Sequence, residues 1–252
     1  MISISTNYGS MFASKAAGAA QKTMNSAMEK LSSGLRINNA KDDAAGQGIA
    51  TRLTAEITSL NMASRNASDA QAMIDTAEAA HQEVHAILLR MREIAVQASN
   101  GTLSDSDRTA LNAEVTELET EISSIADNTK FGGINLGTGE SVKFQIGTAE
   151  GNVLNHTFVD FDVSSIGANI AVNSVSTATA ALATIDGAIS TVSANRGTLG
   201  ALSNRLSSTI ANLDNISVNL SSARGRIQDT DFAQETSNLA KSQIMQQAAT
   251  AM

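Results

Sequence analysis

The feature that most constrains this chain is a stripe of apolar and small residues whose spacing alternates between three and four. A stripe with a mean period of about 3.5 residues is typical of helices that pack at a shallow angle, as in coiled coils. The 252-residue sequence contains no proline, which would interrupt such a helix. We predict one helix over residues 43–99, with the stripe Ile49, Leu53, Ile57, Leu60, Ala63, Ala67, Ala70, Ile74, Ala77, His81, Val84, Leu88, Met91 and Ala95.

Two more helices follow the same pattern. Asn100 and Gly101 are expected to end the first helix, and Ser104 with Asp107 to cap the next, which a short loop folds back antiparallel. The stripe of this second helix is Leu111, Val115, Leu118, Ile122 and Ile125. The third helix is expected to end near Gly225, and its stripe is Leu182, Ile185, Ile189, Val192, Arg196, Leu199, Leu202, Leu206, Ile210, Leu213, Ser217 and Leu220.

Residues 131–177 have a different character. Glycines punctuate this segment, and Val142, Phe144 and Ile146 alternate with polar residues, which is typical of strands bounded by turns. Four of the six phenylalanines also lie here. We predict a β-hairpin and place it as a cap at one end of a helical rod.

The two ends of the chain carry only short apolar stripes. These are Met24, Met28, Leu31 and Leu35 near the start, and Phe232, Leu239, Ile244 and Met245 near the end. Isolated helices with so little to bury are marginal in water. We therefore expect both arms to be disordered in the monomer and helical when they pack against copies of the chain.

Together these patterns predict a mainly α fold. It consists of a long antiparallel helical rod, a coiled-coil-like bundle, with a small β-hairpin region and terminal helices that match each other in kind. The predicted segments are an N-terminal arm (1–42), the N-terminal rod helices (43–130), the hairpin segment (131–177), the C-terminal rod helix (178–226) and a C-terminal arm (227–252).

Composition excludes several functions. The net charge of −8 disfavours nucleic acid as a partner, because phosphate binding needs a basic surface. The absence of cysteine excludes disulfides and thiolate metal sites. No stretch approaches the roughly 18–20 apolar residues of a membrane span, and residues 1–21 do not look like a cleavable secretory signal. We expect no membrane insertion.

The histidines do not match a known metal motif. His81 and His85 flank Glu83, but the helix of a zinc protease needs its glutamate directly after the first histidine. His156 lies apart, in the glycine-rich segment, and no third ligand is evident. We interpret His81 as one member of an amphipathic stripe.

Other candidate sites are equally weak. Asp160 and Asp162 begin like a calcium loop, but Ser165 and Ala171 stand where that loop needs glycine and glutamate. Residues 133–139 are rich in glycine yet lack the Gly-Lys-Ser/Thr ending of a phosphate loop. A helical rod also offers no concave pocket for catalysis. We predict no catalytic residues, no metal and no cofactor, and conclude that the chain is not an enzyme.

The basic residues beside the stripe allow two interpretations. Arg90, Arg92 and Glu93 lie on the outer side of the first long helix, and Glu114 on the antiparallel helix is expected to lie near them. One interpretation is a solvated face with weak ion pairs. The other is a face that pairs with a complementary subunit, and the residues alone do not decide between them.

Five motifs resemble those of the bacterial flagellins and together span nearly the whole chain. They are LSSGLRINNAKDDAAG (31–46), LRMREIAVQ (89–97), RGTLGALSNRL (196–206), IQDTDFAQE (227–235) and KSQI (241–244). The resemblance implies terminal arms that pair as helices in the inner tube of a filament, and a helical layer capped by the hairpin. Only about 47 residues separate the flanking helices, so we expect no large outer domain.

The resemblance also implies partners. Family members are exported through the flagellar type III system, guarded by a chaperone, and assemble with cap and junction proteins. In the family, the motif at 89–97 packs against a neighbouring subunit and is recognised by the host Toll-like receptor for flagellin. Carried over, this implies roles for Leu89, Arg90, Glu93, Ile94, Gln97 and Glu114, with Ile94 standing where leucine is usual.

Three rival classes remain at this point. A hook–filament junction protein shares the arms and helices but matches such motifs loosely, a chemoreceptor coiled coil needs membrane spans, and a soluble helical chaperone would not elongate. Relatives continue for about two dozen residues beyond the position of Met252, so we expect either a short natural arm or a truncated one.

Overall fold

The computed structural model describes residues 7–251, which form five helices and four short strands. The predicted arms also include residues 1–6 and 252, which lie outside the described part. The elements are α1 (Tyr8–Ser33), α2 (Ala44–Ala98), α3 (Asp105–Asn128), β1 (Lys130–Phe131), β2 (Ile134–Asn135), β3 (Ser141–Gln145), β4 (Val153–Thr157), α4 (Val175–Gln228) and α5 (Phe232–Ala251). The predicted class, mainly helical with a small β region and paired terminal helices, is confirmed.

The chain divides into two units. The first consists of Met1–Thr58 with Ile216–Met252, and the second of Ser59–Asn215. In the first unit α1 packs against α5. In the second unit α3 and the strands pack beside α2 and α4. Both long helices, α2 and α4, contribute residues to each unit.

Helix α2 confirms the stripe predicted from the sequence. It spans 55 residues and agrees with the expected bounds to one residue at each end. From Ile57 to Ala95 every predicted stripe position is buried, His81 included. Ile49, in the first unit, is instead 41% exposed, and Ala50 takes the buried position beside it.

The start of α3 is also as predicted. The hydroxyl of Ser104 accepts a hydrogen bond from the backbone amide of Asp107 at 3.2 Å, and the Asp107 carboxylate accepts one from the Ser104 amide at 3.1 Å. This reciprocal capping box satisfies two amides that the helix leaves free. The Ser104 hydroxyl also donates to the carboxylate, which lowers the pKa of Asp107.

Two antiparallel hairpins occupy the glycine-rich segment. In the first, β1 and β2 are joined by Gly132 and Gly133, both with positive φ (57° and 88°), as a two-residue hairpin turn requires. In the second, β3 pairs with β4 in a register that places Phe144 opposite Leu154. The predicted hairpin is therefore present, together with a smaller one before it.

The second hairpin packs against both long helices of the second unit. The apolar side chains Phe144, Leu154 and Phe158 share a core with Ala67–Ala77 of α2 and with Leu199 and Leu206 of α4. Helix α2 continues for a further 21 residues to Ala98. The small side chains of Ala67, Ala70 and Ala77 form part of this core beside the phenylalanines.

Helix α4 ends later than predicted. It runs to Gln228, so Gly225, the expected stop, lies within its last turn. The Asp229 amide still donates to the Gly225 carbonyl at 2.8 Å, so helical hydrogen bonding continues past this glycine. Its predicted stripe is confirmed at Ile185, Val192 and Leu206, which are fully buried.

Helix α4 is also long and apolar enough, by composition alone, to cross a membrane. Its most apolar 18-residue window has a mean hydropathy of 1.2. The buried stripe of α4 supplies part of both cores in the second unit. Core helices commonly have this composition, so it is weak evidence for a membrane span.

Candidate functional site

The two terminal segments meet at a short backbone junction in the first unit. Helix α1 ends at Ser33 and is capped by Gly34, which has a φ of 72°. The chain then runs antiparallel to the end of α4, where Leu35 forms a bridge with Asp229. The Arg36 amide donates to the Gln228 carbonyl at 2.6 Å, and the Arg36 guanidinium donates to the Ile227 carbonyl, also at 2.6 Å. The motifs at 31–46 and 227–235 therefore bind each other directly.

Aspartates in the first motif shape the turn into α2. The Asp42 carboxylate accepts hydrogen bonds from the amides of Asn38 and Asn39, at 3.3 and 3.0 Å. The Asp43 carboxylate accepts from the Gly46 amide at 2.9 Å. These bonds bring the chain round from α1 to α2 and explain why polar residues dominate the motif.

The contact between α1 and α5 is narrow. Only Ala20 and Ala27 of the described part of α1 are fully buried, and α5 buries Glu235 and Ser242. Lys30 lies 3.7 Å from the carboxylate of Glu235 across this contact. Small side chains allow the helices to approach closely, but such a face removes little apolar surface from water.

The predicted arm residues lie on more than one face. Met24, Leu31, Leu35 and Leu239 are partly buried, whereas Met28, Phe232 and Ile244 are 45%, 56% and 66% exposed. The stripe of α1 runs through Ala20 and Ala27, not through Met28. Alanine was easy to miss because it carries no strong apolar signal.

The second candidate surface lies on α2 and α3. The guanidinium of Arg90 donates two hydrogen bonds to one carboxylate oxygen of Glu114, at 3.0 and 2.8 Å, and one to Glu93 at 3.1 Å. These bonds raise the pKa of Arg90, Glu114 first among the causes. The predicted proximity of Arg90 and Glu114 is thus observed. Arg92 points to α4 and donates to Asp186 at 2.7 Å.

Not every predicted residue of this surface is accessible. Leu89 is 44% exposed, and Glu93 and Gln97 are exposed as well. Ile94 is only 1% exposed and belongs to the core. The predicted partner contact of Ile94 stays a prediction, and in this structure the stripe directs its side chain into the core. Val96, which the sequence analysis did not select, is 49% exposed beside Gln97.

Arg108 is a structural residue that the sequence did not reveal. Although it is 4% exposed, its guanidinium donates to three backbone carbonyls, of Ala98 (3.1 Å), Asn100 (3.2 Å) and Leu103 (2.7 Å). It thereby provides hydrogen-bond partners for carbonyl groups at the end of α2 and in the loop to α3. A charged residue early in α3 gave no signal that it turns inward.

The carboxylates weighed as a calcium loop have other roles. The Asp160 carboxylate accepts from the Asp162 amide at 2.9 Å and from the Ser165 hydroxyl at 2.7 Å. The Asp162 carboxylate accepts from the hydroxyl of Ser164 at 2.6 Å. Across the described residues no three His, Cys, Asp or Glu side chains are grouped as metal ligands usually are.

The histidines are placed differently from the sequence interpretation. His81 is buried in the stripe as expected. His156, treated as unrelated, lines the same small cavity as His81, whereas His85, one turn further along α2, does not line that cavity.

The described residues thus form a mainly helical protein with two long helices, paired terminal helices and exposed ion pairs. Two family models match the chain: the bacterial flagellin N-terminal helical region over residues 4–141 and the bacterial flagellin C-terminal helical region over residues 182–252. The chain belongs to the bacterial flagellins, and it is a compact member without large outer domains.

Known flagellins agree with this assignment. The chain is 42% identical to a flagellin of Halalkalibacterium halodurans over 231 residues, which cover 90% of the chain and 85% of the relative. It is 32% identical to flagellin A of Vibrio cholerae, covering 100% of the chain and 95% of the relative.

Solved structures show the same relationship. The crystal structure of Bacillus cereus flagellin matches with a TM-score of 0.56 at 31% identity, covering 59% of this chain and 88% of that one. A putative flagellar hook-associated protein from Vibrio parahaemolyticus matches with a TM-score of 0.66 at 16% identity, covering 75% and 100%, and shows the fold alone. The protein is thus a subunit that polymerises into the extracellular flagellar filament, and it is not an enzyme.

Proposed function

We propose that the paired arms, residues 1–42 and 227–252, assemble the inner tube of the filament. The observation that carries this proposal is apolar surface left exposed on both terminal helices. Phe12 is 75% exposed, Phe232 56% and Ile244 66%. Burial of such side chains against copies of the same helices supplies a favourable free energy of association.

The surface of α2 and α3 has a second role in this proposal. Leu89, Arg90, Glu93, Gln97 and Glu114 contact a neighbouring subunit in the filament and, in the monomer, the host Toll-like receptor for flagellin. Exposed Leu89 next to the Arg90–Glu114 ion pair supports this. An exposed apolar side chain gives binding energy, and a neighbouring ion pair gives specificity for a partner with complementary charges. Ile94 acts only indirectly, by holding α2 in the core.

Export through the flagellar type III system completes the proposal. The narrow contact between α1 and α5 supports it, because arms with few buried side chains unfold readily for passage. The export chaperone covers the C-terminal arm through exposed Phe232, Ile244 and Met245. The cap and junction proteins then meet the same terminal helices during assembly.

Polymerisation tests the assembly role. We expect the purified wild-type chain to form long filaments by electron microscopy and Phe232→Ser with Ile244→Ser to remain monomeric. Val175→Ser removes another exposed apolar side chain (41%), at the start of α4 and outside the arms, and serves as the control. Short rings from the wild type would indicate a junction protein. Filaments from the double variant would show that these exposed side chains of the arms are not needed for assembly.

A receptor reporter assay tests the recognition role. We expect wild-type monomer to activate cells that carry the receptor and Arg90→Ala to lose most of that response. Arg205→Ala, on an exposed residue of α4, is the matched control. No response to wild-type monomer, alongside a response to a control flagellin, would refute this role.

A further inference from the structure

A cavity of about 230 Å³ lies between the second hairpin and the two long helices of the second unit. α2 contributes His81, β4 and the residues after it contribute 156–159, and α4 contributes Asn195, Thr198 and Leu199. Among the residues that the structure describes, no carboxylate lines this cavity. Its volume is several times that of one water molecule in the liquid, so it has room for more than a single solvent molecule.

Three polar atoms of the cavity lining are buried without a hydrogen-bond partner. They are Nε2 of His81, Nε2 of His156 and Nδ2 of Asn195. Buried polar atoms in native proteins are nearly always paired, so each such atom requires an explanation. Three of them around one cavity, on three separate elements, indicate that the cavity holds something to which these atoms bind.

The imidazole of His81 is held in one tautomer. Its Nδ1 lies 2.8 Å from the carbonyl oxygen of Ala77, and a carbonyl only accepts, so Nδ1 carries the proton. The lone pair is therefore on Nε2, the atom without a partner. His81 is 1% exposed, and the ring of Phe161 packs on it with centroids 4.5 Å apart. Histidines that bind metals are oriented in this way, by donation from the second ring nitrogen to a backbone carbonyl.

The groups around the cavity favour a metal ion that prefers nitrogen ligands over carboxylate oxygens. The guanidinium of Arg196 donates two hydrogen bonds to the carboxylate of Glu78, at 3.0 and 2.8 Å. The positive and negative charges of this ion pair therefore act on His81 in opposite directions. Without a carboxylate, Mg²⁺ and Ca²⁺ lack their preferred ligands, whereas Ni²⁺, Cu²⁺ and Zn²⁺ bind imidazole well.

We propose that His81 and His156 bind one divalent transition ion, Ni²⁺, Cu²⁺ or Zn²⁺, through their Nε2 atoms. Water completes the coordination in the remaining space, and the amide of Asn195 hydrogen-bonds to that water shell. Two protein ligands make this an exchangeable site. Bound metal joins β4 to α2, so it stabilises the hairpin on the helices of the second unit.

Calorimetric titration of the full-length monomer with Ni²⁺ tests the site. The chain has only three histidines, so three single variants cover every imidazole. We expect one Ni²⁺ per wild-type chain, binding at least tenfold weaker in His156→Gln and His81→Phe, and unchanged binding in His85→Gln. Mg²⁺ should give no heat of binding. Circular dichroism verifies that each variant is folded, and the half-buried position of His156 makes its replacement the safer one.

Two outcomes overturn the proposal. If wild type binds no Ni²⁺, the cavity holds only water. If His85→Gln abolishes binding while His156→Gln retains it, the ion is held by His81 and His85 along α2. A rise in the thermal unfolding temperature with Ni²⁺, absent in His156→Gln, supports the site independently of calorimetry.

Discussion

Leu35 pairs with Asp229 across an isolated antiparallel bridge, although the two residues are 194 positions apart in the sequence. The bridge lies between the end of α1 and the start of α5, and these two helices pack side by side. The Thr230 amide donates to the Gly34 carbonyl at 3.0 Å and extends the pairing. The two terminal motifs are therefore one structural feature, in which each supplies the backbone partners of the other.

Gly46, the last residue of the motif at 31–46, provides a first test of how the N-terminal motif packs. A Cβ there would lie 2.7 Å from Cδ1 of buried Ile37 and would also meet the carboxylate of Asp43. At Gly48, two residues later in α2, a Cβ would meet nothing within 4 Å. We expect Gly46→Ala to lower the free energy of unfolding by about 1–3 kcal/mol through overpacking. Gly48→Ala should raise it by up to about 1 kcal/mol through helix propensity.

Urea unfolding followed by circular dichroism measures both variants. Because both replacements are Gly→Ala in one helix, the difference between them isolates the contact with Ile37 and Asp43. Equal midpoints for the two variants would contradict the packing described here.

Arg108 provides a second stability test. We expect Arg108→Ala to lower the free energy of unfolding by about 2–4 kcal/mol, because one buried and two partly buried hydrogen bonds from a charged donor to backbone carbonyl groups are lost. Arg205→Ala, at an exposed arginine, should change it by less than about 0.5 kcal/mol. Thermal unfolding of the two variants decides the point, and a small effect of Arg108→Ala would mean that water replaces the guanidinium.

The helices were largely predictable from the sequence because their signal is local. A stripe repeated over tens of residues indicates the buried face of α2 without knowledge of its neighbours, and Ser104 with Asp107 marks the start of α3. The end of α4 was not predictable in this way. A glycine usually follows a helix, but at Gly225 the pairing of residues beyond it with 34–36 prolongs the helix.

The candidate surfaces were less predictable because they depend on which side of a helix faces a neighbour. Ile94 and Val96 are both apolar and two residues apart, yet one is 1% and the other 49% exposed. The relation of His81 to His156 was hidden for a different reason. It arises from packing of a hairpin on a helix 75 positions earlier, and no local pattern records such a contact.

The same histidines predict a pH dependence. Burial lowers the pKa of His81 and His156 below the ordinary value of 6.5, so the folded chain binds their protons less tightly than the unfolded chain. Their contribution to stability is therefore complete above about pH 6.5 and is lost as the pH falls through the lowered folded values. At His81 the nearby charges act in opposite directions, Glu78 raising the pKa and Arg196 lowering it.

Urea midpoints between pH 7.5 and 5.5, in a metal-free buffer, measure this effect. We expect the wild type to lose stability over this range and His81→Phe to lose less, because phenylalanine has no proton to gain. The difference between the two chains removes the contribution of all other groups. An identical pH slope in both would show that His81 is not protonated on unfolding.

The receptor role proposed for the Arg90–Glu114 pair can be tested separately from its role in stability. Both side chains are exposed, so we expect Arg90→Glu to change the unfolding temperature of the monomer little while it abolishes receptor activation. The double variant Arg90→Glu with Glu114→Arg restores the pair in reverse. It should recover the monomer's geometry but not activation, because the partner meets each charge at the wrong position. Activation by the double variant would mean that the receptor requires only a paired surface.

Helicity of the arms provides the last test. The contact between α1 and α5 buries few side chains, and the stability of a helix in a protein comes mostly from packing of its apolar face. We therefore expect the monomer in solution to gain far-ultraviolet helicity when it assembles, as the arms fold against neighbouring copies. Ala27→Asp places a charge on the buried face of α1 and should prevent both the gain and the assembly, whereas Ser26→Asp, on the exposed face, is the matched control. Helicity that stays constant through polymerisation would show that the arms are already folded in the monomer and that assembly joins preformed helices.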